Sequence, residues 1–299
     1  MTSHPAPGVR RTTSPLVVVL LAVASLASAA CTLLVPDLLA GPAAMNGSAK
    51  GTALVVAVGG VPVLVVAYRR AVAGSVPALA LAAGAAAYLV YNAVLLVFAT
   101  PFNQAFPLYE AMLGLGIWTL VGTSSELWRR AEHFGRPVGR WVPAYILAVV
   151  TLNALAWAAS LVPALLSDHP RSMLDGTSLT TNPVYVQDLA FWLPAIAWVS
   201  VGMWRAHGPR TALGAAVLCY WVLESLGVAV DQWWGHHADP TSTVASAGAV
   251  PLFVVVALLT LWPLTSALRT LSGTVGPPDP DSRVATPRDA LGGRDATRA

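Results

Sequence analysis

Eight stretches of the chain run for about twenty residues with almost no charge, and a stretch of that kind has few ways to fold. They are Pro15–Val35, Gly51–Tyr68, Val76–Ala99, Ala105–Glu126, Val142–Leu166, Val184–Met203, Thr211–Val230 and Val244–Leu268. Each is close to the roughly 20 residues of helix that cross the hydrocarbon core of a bilayer. Backbone amides in lipid must be paired within their own segment, and the alternation that marks barrel strands is absent, so these runs predict helices. Composition agrees: 56% of residues are hydrophobic and 10% charged, whereas a soluble domain carries about a quarter charged residues. The prediction is an all-α, polytopic transmembrane bundle of eight helices over residues 15–268. A short tail, 1–14, precedes it. The tail at 269–299 is rich in Gly, Pro, Asp and Arg, has no apolar period and is expected to be disordered.

Orientation follows from the basic residues, which gather on the cytoplasmic side of membrane proteins. With the N-terminus inside, the inner segments hold Arg10, Arg11, Arg69, Arg70, Arg129, Arg130, Arg136, Arg140, Arg205, Arg210, Arg269, Arg283, Arg288, Arg294 and Arg298. Only Lys50 and Arg171 fall outside. Eight crossings with both termini cytoplasmic satisfy every alternation. A rival reading takes Arg10-Arg11, the first apolar run and Ala27-Ser28-Ala29 as a secretory signal, which would leave seven helices. Apolar character continues past that point to Val35, which favours a retained helix. Ser28 is unsuited to a lipoprotein site at Cys31, and Thr12-Thr13 do not complete a twin-arginine signal.

The residue inventory removes most chemistry. The histidines (His4, His133, His169, His207, His236, His237) fall between or outside the runs, so axial ligands for a buried haem are lacking. Lys50, the single lysine, also lies outside the runs, so no Schiff base is expected within the bundle. No HExxH, phosphate-binding loop or GxSxG elbow occurs. The two cysteines, Cys31 and Cys219, belong to different runs and form no redox pair. No stripe of basic and aromatic residues suggests nucleic acid. No cofactor is expected. Asp231, His236, His237 and Asp239, with Asp168 and His169, could ligate zinc or copper, but adjacent histidines do not readily share one ion, and a solvated loop is the simpler reading.

What remains are acids inside apolar runs, where charge is costly and function is the default reading. Glu110, Asp188 and Glu224 all lie in the outer half of the predicted spans, and Asp231 lies at the outer end of the seventh. Tyr88, Tyr91 and Asn92 have i, i+3, i+4 spacing and share a helix face, as do Tyr220, Glu224 and Asp231 at i, i+4, i+11. Asn103, Gln104 and Tyr109 stand near the start of the fourth run, and Tyr185 and Gln187 near the start of the sixth. The expectation is an outward-facing polar pocket between the third, fourth, sixth and seventh helices. Its expected residues are Asp188, Glu224, Glu110, Tyr91, Asn92, Asn103, Tyr220 and Gln187. Tyr and Asn at such positions also serve as interfacial belt or interhelical glue. With no basic group at this depth, the acids must be neutralised by protons or held ionised by a cation or by water.

Tyr88-Leu-Val-Tyr91-Asn92, followed by Phe102-Asn103-Gln-Ala-Phe106-Pro-Leu-Tyr109, is one distinctive segment. Asn182-Pro183-Val-Tyr-Val-Gln-Asp188-Leu189-Ala190-Phe191-Trp-Leu-Pro194 is another. Together they resemble a family of bacterial multi-pass integral membrane proteins of unknown function, over about a third of the chain. The resemblance implies a multi-pass architecture and carries no activity with it. The Ala- and Arg-heavy, Lys-poor composition suggests a GC-rich bacterial genome, and the expected location is a bacterial plasma membrane. The lipid bilayer is the expected partner. Three function classes stay open: binding or transport of a small solute or cation, an enzyme acting at the outer leaflet with paired acids, and a non-catalytic assembly partner. Transport needs a polar route through the inner half, where only Asn153 and hydroxyls such as Thr119, Thr123, Ser124 and Ser200 are on offer.

Overall fold

The computed structural model describes residues 13–132 and 137–272. Most of the expected tails at 1–14 and 269–299, namely residues 1–12 and 273–299, lies outside the described residues, as do His133 and Arg136. Among the described residues every regular element is helical. The long helices are α1 (Pro15–Leu34), α2 (Ala43–Val72), α3 (Val76–Phe98), α4 (Phe106–Ala131), α5 (Trp141–Leu166), α6 (Pro183–Trp204), α7 (Gly208–Ala238) and α8 (Ala249–Ser272). Seven of them are long and apolar enough to cross a membrane. The other is α4, whose 26 residues include Glu110, Thr119, Thr123, Ser124, Ser125 and Glu126 and so dilute its hydropathy.

Local sequence chemistry sets the starts. Ser14 and Ser75 accept hydrogen bonds from the amides of Leu16 and Ala78, both at 3.3 Å, and cap α1 and α3. Asn182 caps α6 by accepting from the amides of Val184 and Tyr185. Proline stands in the first turn of α1, α3, α4, α6 and α7, where its missing N–H and fixed φ do no harm.

Two helices have ends that hydropathy misplaces. The second run was expected to begin at Gly51, but α2 begins at Ala43, so Lys50 is helical and not in a loop. The seventh run was expected to end at Val230, but α7 continues to Ala238 and takes up Asp231, His236 and His237. These extensions pack against each other, which is why they stay helical despite their polar residues. At Gly51 an added Cβ would stand 2.7 Å from the Cα of Asp231, and only a residue without one lets the two backbones approach this closely.

Both α2 and α6 contain one turn of wider, π-type winding, at Val56–Gly60 and Asp188–Trp192. The cause is the same. Pro62 and Pro194 follow the turns and have no N–H to give to the carbonyl four residues back. The preceding amides of Val61 and Leu193 instead reach five residues back, to Val56 and Asp188. π-turns are frequent at functional sites, and the second of these carries an acid.

The Ala-rich α3 is the hub, packed against α2, α4 and α7, with 72% of its most apolar stretch buried. Helices α5 and α8 are peripheral, tied to each other by the 2.6 Å Tyr145–Thr260 hydroxyl pair. They turn most of their apolar surface outward: Leu152, Leu155, Leu258, Leu259 and Trp262 are all exposed. A protein in water would not expose that much contiguous apolar surface.

Candidate functional site

Asp188 opens the π-turn of α6 and is almost fully buried. Its Oδ2 accepts from the indole N–H of Trp157 in α5 at 2.8 Å. Glu224 stands on α7, 14 residues before Ala238, or about 21 Å from that end of the helix. Asn92 on α3 donates to Glu224 Oε2 at 3.2 Å and, with the same amide nitrogen, to the Tyr88 carbonyl at 2.9 Å. That second bond aims the amide at the acid.

The two carboxylates line one internal cavity of about 120 Å³. Around them stand Tyr91 (α3), Val149 and Asn153 (α5), Trp192, Leu193 and Ile196 (α6), Tyr220, Trp221 and Ser225 (α7), and Phe253 and Val256 (α8). No Lys, Arg or His is among the described residues that line it. Glu224 keeps accessible surface although it lies inside the bundle, because its carboxylate faces this space.

A second, larger cavity of about 420 Å³ lies nearer the helix ends that carry Ala99, Asn182 and Gln232. Asp231 is part of its wall, and so are Trp157 and Tyr185, whose rings lie 4.5 Å apart. Trp157 therefore faces the larger cavity while its N–H holds an acid of the smaller one.

Of the eight residues expected in one pocket, the structure brings Asp188, Glu224, Tyr91 and Tyr220 to the cavity wall. Asn92 stands directly behind Glu224. Gln187 is buried one step away, where its side-chain oxygen accepts from the Trp192 indole at 3.1 Å and fixes that ring. Two residues do not join. Glu110 is exposed on the outer surface of α4; its neighbour Tyr109 is the buried one, 3.3 Å from Thr32 of α1, and successive helical residues face about 100° apart. Asn103 is engaged in a turn, donating to the Pro101 carbonyl and accepting from the Ala105 amide, both at 2.9 Å. The fourth helix, expected to line the pocket, contributes nothing to it, and α5 and α8, not expected, both do. The missed residues are Trp157, Asn153, Trp192 and Phe253. Asn153 and Trp157 share a helix face at i, i+4, which is the one signal that pointed to them.

Among the described residues no group of three or more His, Cys, Asp or Glu could hold an ion. His237 Nδ1 is engaged with the Trp233 carbonyl at 2.7 Å, and Asp239 accepts from the amide and hydroxyl of Thr241.

Two carboxylates share a cavity wall that carries no basic side chain among its described residues, and isolated acids at such depth are costly to keep charged. No family model matches the chain, and neither a curated protein nor a solved structure matches it.

Proposed function

We propose that the chain is an eight-span membrane protein, with both ends on its Arg-rich side, that binds a small cation or cationic solute between Asp188 and Glu224. The seven long apolar helices support a multi-pass protein. Counting α4 as the eighth is supported by its exposed face, where Ile117, Trp118 and Val121 have no polar cover. The larger cavity, at the ends away from the Arg clusters, supplies the approach from outside. The observation that carries the reading is the meeting of two acids from distant helices in a cavity that no basic side chain lines.

A second reading shares the site. In the other half of the bundle Thr123 and Ser200 spend their hydroxyls on the carbonyls of Thr119 and Pro143, at 2.7 and 2.8 Å, so they offer little to a solute route. Binding without passage, or acid–base chemistry on a substrate reached from outside, fits that one-sidedness.

Thermal unfolding of the purified protein in maltoside micelles tests the reading. Na⁺, K⁺, Ca²⁺ and tetramethylammonium are titrated at constant ionic strength. At least one cation should raise Tm in a saturable way, since a ligand at about 100 times its Kd adds about 2.7 kcal/mol. Asp188→Asn and Glu224→Gln should fold and lose the response. No response in the wild type, or equal responses in the variants, would overturn it.

A further inference from the structure

Five of the thirteen residues that line the cavity are aromatic, and this narrows the kind of cation it suits. The rings of Tyr91, Trp192 and Tyr220 form a cluster with centroid separations of 5.2 to 6.2 Å. Trp192 and Tyr220 stack with only 18° between their planes. Trp221 and Phe253 add two more rings to the same space. Within the cluster Trp192 is held in place by its bond to Gln187.

Hard metal cations favour six or more oxygen ligands that replace their water shell. Here the side-chain oxygens are the two carboxylates, the Asn153 amide, the Ser225 hydroxyl and the two phenols, spread among aromatic and aliphatic surface. Aromatic faces instead suit a cation whose charge is spread over methyl groups, which is weakly hydrated and attracted by the ring quadrupole. The space of about 120 Å³ suits an ammonium head of a few carbons and is well below the roughly 300–1,000 Å³ of pockets for drug-sized molecules.

Resting on the cation-binding reading above, we propose that the cavity is an aromatic cage for an alkylated ammonium group, with Asp188 and Glu224 supplying the counter-charge. Trp192, Tyr91 and Tyr220 provide the ring surface, and Trp157, in the wall of the outer cavity, gives its N–H to Asp188 of the cage. A free solute and a lipid headgroup can both carry such a group, and the shared chemistry is the methylated nitrogen.

The test is calorimetric titration of the full chain in maltoside micelles with tetramethylammonium, choline, a short-chain phosphocholine lipid, NaCl, and 3,3-dimethylbutan-1-ol as the uncharged counterpart of choline. Tetramethylammonium and choline should bind and the uncharged alcohol should not. The lipid binding at least as tightly as choline assigns the site to headgroups, and weaker binding assigns it to free solutes; both outcomes support the cage. Trp192→Leu should weaken tetramethylammonium binding about 3- to 30-fold, and Trp192→Phe, which keeps a ring face but loses the N–H to Gln187, should bind more tightly than Trp192→Leu. Equal binding by the two variants overturns the cage, and if Trp192→Leu does not fold, the comparison of choline with its uncharged counterpart decides. Acid-dependent binding of Na⁺ with none of tetramethylammonium overturns the cage and leaves the cation-binding reading standing. No binding of any cation overturns both.

Discussion

The indole of Trp157 stands in the wall of the outer cavity and gives its N–H to Asp188, 2.8 Å away, in the wall of the inner one. One side chain thus borders the approach and positions an acid of the site. Replacing it with phenylalanine keeps a ring against Tyr185 and removes the donor. Leaving a buried acceptor without its partner costs about 1–3 kcal/mol. Trp157→Phe should therefore lower unfolding free energy by about that amount in micelles and weaken cation binding, read by denaturant titration and calorimetry on the same preparation.

Glu110 provides the contrast. It is exposed on α4 and does not line the cavity. Glu110→Gln should leave the Tm and the cation response unchanged within about 0.5 kcal/mol, the usual range for surface substitutions. A loss as large as that of Glu224→Gln would mean that α4 reaches the site.

Pro194 causes the widened turn that begins at Asp188. Pro194→Ala restores an N–H able to bond the carbonyl four residues back and lets α6 return to regular winding. Removing the extra residue turns the segment before it by about 100° relative to the rest. Helix content by circular dichroism should be unchanged, while the cation response falls with Asp188 swung away from Glu224.

The seam between α2 and α7 is tested at Gly51. A methyl group there meets the backbone of Asp231 and not a pliable side chain, so relief requires the helices to part. Gly51→Ala should destabilise by about 1–3 kcal/mol. Gly114, whose added Cβ would have no neighbour within 4 Å, should accept alanine without loss.

The arrangement of Arg clusters makes a topological prediction. Single cysteines at Asp37, Asp175 and Thr241, in a background without Cys31 and Cys219, should react with a membrane-impermeant maleimide added to intact cells. One at Gly74 should react only after permeabilisation. The opposite pattern would invert the orientation.

The helices were legible because twenty apolar residues in a row admit almost nothing else. Their ends were not. Asn46, Ser48 and Lys50 look like loop by hydropathy, yet they are helical because α2 and α7 pack beyond the apolar zone. Within the site, helical periodicity at i, i+4 was enough to put Tyr220 beside Glu224. It says which residues share a face but not which helices are neighbours, so Glu110 was grouped with acids it does not meet. Trp157 and Phe253 were hidden for another reason. On a peripheral, mostly lipid-facing helix an inward aromatic residue looks like one more apolar residue. The widened turn at Asp188 was foreshadowed only by the proline that follows it, Pro194.

The account depends on Asp188 and Glu224 sharing one ion-accessible cavity, and carbodiimide footprinting of the carboxyl groups, read by mass spectrometry, tests that most directly. Both should be modified in the purified protein, and the cation that raises Tm should protect both over the same concentration range while leaving Glu110 unprotected. Protection of one acid without the other, or of neither, would contradict it.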